Sequence, residues 1–479
     1  MLAFDIDLSS KTQPFPHFWE ECVGSCHAAL ALREDYRQQL KKCHEELGFK
    51  RVRFHGLLCD DMSVYTIQDG KPYYSFYNVD SIFEFLLKIG MQPLIELSFM
   101  PKAMASGNHT VFHYPSNMTP PNSYEEWGTL IEALTRHLVV HFGLDEVRSW
   151  YFEVWNEANL NDPVTPGFWT GTQQDYLNLY EYAARAIKKV DAAIPVGGPA
   201  TARNAWIPDL ISYCQKRQVP LDFISTHQYP SDAALSFSDM DEALAHIDRD
   251  TLLKMAQVAR QESKGYPLYY TEWSSSPSSR DHFHDEAYAA AFISKTIMDM
   301  QGLVDIYSFW AFSDIFEEGA LPSTPFHGGF GLLNLYGVPK PCYRVFGLLH
   351  QLGKEQIPLV AEPHPTVQAL ATLEGNQIKV LVSNHQVPQA PIKQEHIVLR
   401  IEREIKRGYS ENIDETHANP KQKWIEMGCP EYPTKTEIAA LMNASNLNPE
   451  PVKLTKSNNG TEIEFDIPPH GVIAITLEM

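Results

Sequence analysis

One pattern recurs eight times in the first three quarters of the chain: a short apolar, β-branched or aromatic run, a polar loop, then an amphipathic stretch at helical spacing. The runs read HFWEECVGS, RVRFHG, QPLIELSF, WYFEVWN, IPVGG, LDFISTH, PLYYTEW and DIYSFWAF. Strands that each feed a helix pair in parallel, because the helical crossover returns the chain to the same end of the sheet. Eight such units in about 340 residues predict an α/β fold, a (β/α)8 TIM barrel. A doubly wound sheet is the competing arrangement, but the Gly-rich turn after its first strand is missing.

The helical halves carry their own stops. Tyr36, Leu40, Cys43 and Leu47 recur at helical spacing and end at Gly48, and VDSIFEFLLKIG ends at Gly90. SYEEWGTLIEALTRHLVVHFG opens with Ser123 and Glu126 in capping-box spacing and closes at Gly143. The helices after the last five runs are expected near 173–191, 205–217, 239–264, 285–301 and 342–352. From about Pro358 the texture turns to apolar/polar alternation broken by turn residues, which predicts a C-terminal antiparallel β-sandwich. The expected organisation is a segment 1–16 that joins the sandwich, a barrel over 17–355, and the sandwich over 356–479.

Charge and cysteine content narrow the function. Against 60 Asp+Glu stand 39 Lys+Arg, a net charge of −21, with no basic cluster to meet phosphates, so no nucleic-acid partner is expected. No apolar run reaches the roughly 20 residues of a membrane span, so no membrane partner is expected either. MLAFDIDLSS, Met1 to Ser10, has neither the basic nor the apolar region of a secretory signal. Seven cysteines, odd in number and irregularly spaced, suit a reducing compartment. A cytoplasmic enzyme is the expectation.

In such a barrel, chemistry gathers where strands end and βα loops begin. Glu157 ends the fourth run, in SWYFEVWNEANL, and Glu272 ends the seventh, in YYTEW. A carboxylate at the rim of a core is costly unless it is paired or used. A retaining glycosidase uses two: an acid that protonates the leaving oxygen and a carboxylate that attacks the anomeric carbon, about 5–5.5 Å apart. Trp155, Tyr270 and Trp273 flank the pair and offer the apolar wall that raises a carboxyl pKa towards neutrality.

These residues carry a resemblance. WNEANL and TEW are similar to the signatures of the clan of retaining barrel glycosidases. More narrowly, FWEECVGS, VRFHGLLCDDM, IELSFMPKAMASG, FWAFSDIFEE and PFHGGFGLLNLYGVPKP resemble glycoside hydrolase family 39, in its β-xylosidase branch. The likeness runs into NPKQKWIEMGCPEYPTKTEI and so covers almost the whole chain. One departure is that the family's Asn-Glu-Pro-Asn reads Asn156-Glu157-Ala158-Asn159, which loosens the loop without removing a reacting atom. The resemblance implies Glu157 as acid/base, Glu272 as nucleophile, Asn156 hydrogen-bonded to the sugar 2-hydroxyl and to the nucleophile, and His55 as a sugar contact. It implies an exo-acting enzyme that releases xylose from short xylo-oligosaccharides without a cofactor, and it leans towards a homo-oligomer. Hydrolysis of a β-glucoside, β-galactoside or α-L-iduronide is the alternative within the family. An inactive carbohydrate-binding protein is the alternative outside it.

Further candidates follow from position. His227 and Tyr229 in STHQYP are two apart and share a strand face, which would let Tyr229 hold Glu272. FWAFSDIFEE offers Trp310 as a platform for a sugar ring and Glu318 as a hydroxyl acceptor. In TPFHGGFGLLN, Phe326 and His327 sit on a Gly-rich loop expected at the active face. No metal is expected. HEELGF has Gly48 where a zinc peptidase needs its second histidine, and RDHFHDE, Arg280 to Glu286, reads as a helix start capped by aspartate.

Overall fold

A computed structural model describes residues 2–164, 166–233, 241–242, 247–457 and 460–479. Eight parallel strands close into a barrel: β1 (Val23–His27), β2 (Arg51–His55), β3 (Gln92–Leu97), β4 (Tyr151–Val154), β5 (Val196–Thr201), β6 (Phe223–Gln228), β7 (Leu268–Trp273) and β8 (Ile306–Phe309). The ring shuts where Phe309 pairs with Val23. Nearly every strand residue is buried, since helices cover the outside and side chains fill the inside. That is why these strands read as continuous apolar runs. Gly24 of β1 is a close-approach position: a Cβ there would lie 2.4 Å from Cε3 of Trp310.

Each strand is followed by a helix: α1 (Glu34–Leu47), α2 (Tyr77–Lys88), α3 (Tyr124–Phe142), α4 (Gln173–Val190), α5 (Ile207–Arg217), α6 (Thr251–Glu262), α7 (Ala287–Asp299) and α8 (Pro341–His350). Gly48 ends α1 with φ at 75°, a left-handed value that a Cβ would strain. At α3 Ser123 accepts the Glu126 backbone N–H; the reciprocal capping box forms instead at α4, between Thr172 and Asp175. The single helix expected over 239–264 is interrupted: 241–242 are helical, 247–250 form a bend and a turn, and α6 starts at Thr251; 239–240 and 243–246 lie outside the described residues. The α7 sequence AYAAAFISKTIMD is almost wholly buried, as a helix apolar on all sides should be, because it lies between the barrel and the C-terminal sheets.

The remainder forms two sheets. Five strands run in the order Leu359–Val360, Leu2–Ile6, Glu395–Ile401, Gly460–Ile467, Thr455–Ser457. Seven run in the order Gln13–Pro14, Glu355–Ile357, Val367–Glu374, Gln377–Asn384, Val472–Glu478, Arg407–Ile413, Glu450–Pro451. Apolar residues of both, among them Phe4, Ile397, Val380 and Ile475, make one shared core. Two details differ from the expected antiparallel sandwich. Leu2–Ile6 pairs in parallel with Glu395–Ile401, because it arrives from the far end of the chain rather than through a hairpin. NPKQKWIEMGCPEYPTKTEI supplies two helices, Pro420–Glu426 and Lys435–Ala444, the first with proline in its opening turn and the second with a Thr434–Glu437 capping box.

Candidate active site

The site is built on charges placed inside the barrel. Arg53 on β2 is fully buried and spreads its guanidinium over four partners. Nε donates to Glu153 Oε2 at 2.5 Å, Nη1 to Glu272 Oε1 at 2.8 Å and Nη2 to Asn156 Oδ1 at 2.9 Å. Nη2 also lies 2.7 Å from Glu96 Oε2. Burial opposes the Arg53 charge, but Glu153, Glu96 and Glu272 together hold its pKa above the ordinary value. His55 donates Nδ1–H to the same Glu96 oxygen at 2.7 Å. Burial penalises its cation too, yet the Glu96 carboxylate keeps the His55 pKa raised.

Glu272, at the end of β7, is held on both oxygens: Oε1 accepts from Arg53 and Oε2 from the Tyr229 hydroxyl at 2.9 Å. It is therefore a fixed carboxylate beside a cation. Glu157 has the opposite surroundings. Trp155 (φ 72°) and Glu157 (φ 46°) both take left-handed backbone as the chain leaves β4. The strain is held by Glu157 N–H donating to Ala200 O at 2.7 Å and Trp155 Nε1–H to Phe168 O at 2.9 Å. Burial pushes the Glu157 carboxyl up to about 7, against the smaller opposing pull of His55, Arg53 and Arg203. Its side-chain contact is His227, whose Nδ1 lies 2.9 Å from Oε1. Burial takes that imidazole down to about 4, so it is neutral.

One oxygen of Glu157, one of Glu272 and a ring nitrogen of His227 lie within 4.8 Å of one another. The carboxyls thus stand close, in the range where one can attack a carbon while the other serves the departing oxygen, and short of the roughly 6.5–9.5 Å that leaves room for a water. They open into a cavity of about 270 Å³ walled by Leu160, Phe168, Trp310 and Phe330, with Arg203 and Asp232 at its side. A larger open groove of about 700 Å³ in the five-stranded sheet, around Asp5, Asp7, Arg400 and Glu462, has no aromatic among the described residues that line it. Sugar rings are held on aromatic faces, so the chemistry points to the barrel.

The family model of glycosyl hydrolases family 39 matches residues 2–461. The chain belongs to this family. A β-xylosidase from Caldicellulosiruptor saccharolyticus is 54% identical, with 100% of this chain and 99% of that protein covered. One from Geobacillus stearothermophilus is 34% identical over 95% of this chain and 90% of the other. The crystal structure of a monomeric β-xylosidase from Caulobacter crescentus CB15 superposes with a TM-score of 0.88 at 31% identity, covering 100% of this chain and 99% of that one. The chain is accordingly a glycoside hydrolase.

Within this family fold, the cavity wall brings together His55, Asn156, Glu157, Tyr229, Glu272, Trp310 and Glu318. Trp310 leans on His55, with centroids 4.8 Å apart, and Glu318 Oε1 lies 3.8 Å from His55 Nε2. Burial pushes the Glu318 carboxyl up to about 8, and the charges of Glu272 and Glu157 add to this. The bond to Glu272 that the resemblance assigned to Asn156 comes instead from Arg53 and Tyr229.

Three candidates stand elsewhere. His227 sits behind the wall, fully buried, and touches the acid rather than the cavity. Phe326 packs against Trp424 at 5.7 Å, beneath the two helices of the 420–444 region. His327 donates Nδ1–H to Thr324 O at 3.1 Å and closes its own turn. The aromatic that this loop gives the cavity is Phe330, placed by Lys340. That buried ammonium lies 2.7 Å from both Asp285 and Asp314 and donates to Gly329 O at 3.0 Å; the two aspartates in turn accept the Gly328 and Gly331 N–H groups at 2.7 Å. Arg53, Glu96, Glu153 and Thr271 are additional site residues. A signal for three of them was in view: RVRFH, LIEL and YFEV each carry a charge inside an apolar run that the barrel buries.

Proposed function

We propose that the chain is an exo-acting retaining β-xylosidase that releases xylose from the non-reducing end of short xylo-oligosaccharides. The observation that carries the reading is the pair itself: two carboxyls within 4.8 Å, one fixed beside a guanidinium and one lifted by burial to about 7. Glu272 attacks the anomeric carbon as the glycosidic bond breaks, and Glu157 gives its proton to the departing oxygen. A glycosyl-enzyme ester remains. Glu157, now a carboxylate, takes a proton from water as that water attacks the same carbon, and Glu272 leaves as a carboxylate. Asn156 Oδ1 is occupied by Arg53, which leaves its amide hydrogens for the sugar 2-hydroxyl. A cavity of about 270 Å³ suits a terminal sugar better than a threaded polymer, and seven free cysteines suit a cytoplasmic enzyme. No helix among the described residues is long and apolar enough to cross a membrane.

A panel of aryl glycosides tests the sugar. Excluding a hydroxymethyl group by overpacking corresponds to a preference for β-xyloside over β-glucoside of roughly 10- to 100-fold in kcat/KM. Weaker turnover of an α-L-arabinopyranoside is expected. Equal or better turnover of the glucoside overturns the xylosidase reading. A second reading, a uronide hydrolase, has Arg203 in its favour as a cation on the cavity wall. Activity confined to uronides would establish it instead.

A further inference from the structure

His227 bonds two groups at once, Glu157 Oε1 through Nδ1 at 2.9 Å and Thr271 Oγ1 through Nε2 at 3.1 Å. A neutral imidazole donates at one nitrogen and accepts at the other. Which does which is decided one bond further on. Thr271, next to Glu272 on β7, gives its only hydroxyl hydrogen to Glu153 Oε1 at 2.7 Å. The other oxygen of Glu153 accepts from Arg53 Nε at 2.5 Å, so this carboxylate offers no hydrogen in return. Thr271 Oγ1 is left as an acceptor, the imidazole hydrogen sits on Nε2, and Nδ1 presents a lone pair to Glu157. A lone pair at that distance attracts a carboxyl oxygen that carries a proton and repels one that does not.

We propose that Thr271, backed by Glu153, is a positioning residue for the acid/base: it fixes the His227 tautomer so that Nδ1 accepts the carboxylic hydrogen of Glu157. The proposal rests on Glu157 being the acid/base. Before the first step the bond favours the protonated carboxyl. Once Glu157 has given its proton to the leaving oxygen, the lone pair faces a carboxylate, and relief of that repulsion drives Glu157 to take a proton from water in the second step. One chain of hydrogen bonds thereby serves both halves of the cycle. The opposed effects of burial, Glu157 up to about 7 and His227 down to about 4, agree with this proton placement. The other charged groups facing the pair divide. Arg53, His55 and Arg203 favour the Glu157 carboxylate and Glu96 opposes it; Asp232 and Glu318 share the cavity, where burial pushes their carboxyls up to about 7 and about 8. Glu272 Oε2 lies 3.6 Å from His227 Nδ1.

Thr271→Val removes the hydroxyl at nearly constant shape and frees the imidazole hydrogen to move to Nδ1, where it stabilises the Glu157 carboxylate. The alkaline limb of kcat/KM for an aryl β-xyloside should then move to lower pH by about one unit, the equivalent of one hydrogen bond. Thr271→Ser should restore the limb. Substrates whose leaving groups need no protonation should lose little. A folded Thr271→Val enzyme whose limb stays at the wild-type pH overturns the proposal, because a merely structural role lowers the rate without moving the limb. Nitrogen-15 NMR of histidine-labelled wild-type protein decides the matter even where the variant does not fold. The buried His227 should show the Nε2–H tautomer, and an Nδ1–H tautomer overturns the proposal. A wild-type enzyme without glycosidase activity would bring down the acid/base assignment instead, and the NMR result reads the tautomer independently of it.

Discussion

Arg53 donates Nη1–H to Glu272 Oε1 at 2.8 Å, and this bond separates the two carboxyls of the site by role. Glu272 has a guanidinium and a phenol on its oxygens, and the two bonds hold it still. Glu157 has a neutral histidine and can hold a proton. The same guanidinium also faces Glu96 and Glu153, so one side chain from β2 sets the electrostatics of strands β3, β4 and β7.

Arg53→Met should therefore destabilise strongly. It leaves buried carboxylates without their cation, a change that typically costs about 3–5 kcal/mol. Chemical denaturation should show a loss of that order, with Arg53→Lys intermediate because it keeps the charge but not the planar fork. A loss below about 1 kcal/mol for Arg53→Met would mean the network carries little of the fold.

Activity should fall on the alkaline side near pH 7. The first step needs Glu157 protonated, and burial holds its pKa near that value. A kcat/KM profile still flat at pH 9 would remove Glu157 from the role of acid.

The same shift has a cost in stability, with a definite sign. The folded pKa of Glu157, about 7, lies above its ordinary 4.5, so the folded protein binds this proton more tightly than the unfolded chain. The contribution is full below about pH 4.5 and is lost as pH rises through 7, by up to about 3 kcal/mol. Glu157→Gln does not titrate and can still donate to His227. Its melting temperature relative to wild type should be little changed at pH 4.5 and should rise progressively towards pH 8. A difference independent of pH would contradict the burial argument.

The barrel was legible because covered parallel strands leave continuous apolar runs, and Glu157 and Glu272 were legible because each ends such a run. What the residues around them do depends on contacts across strands, which no local spacing encodes. His227 reads like a cavity residue beside Tyr229, yet the bulge between Thr226 and His227 in the β6–β7 pairing sets it behind Glu157. Phe326 looked like a loop aromatic free to meet substrate; its partner Trp424 lies about a hundred residues on, in a segment that pattern alone assigned to a sandwich. Arg53 and Glu153 stood in plain view as charges inside apolar runs. Their meaning appears only when β2 and β4, the two strands that flank β3, bring them together inside the barrel.

The stereochemistry of azide rescue tests the central claim most directly. With Glu272→Ala, azide replaces the nucleophile in a single displacement, and NMR of the product should show a glycosyl azide of inverted configuration. With Glu157→Ala and an activated aryl β-xyloside, the glycosyl-enzyme still forms on Glu272, azide attacks it, and the product should retain its configuration. The reverse assignment, retention with Glu272→Ala and inversion with Glu157→Ala, would contradict the roles given to the two glutamates.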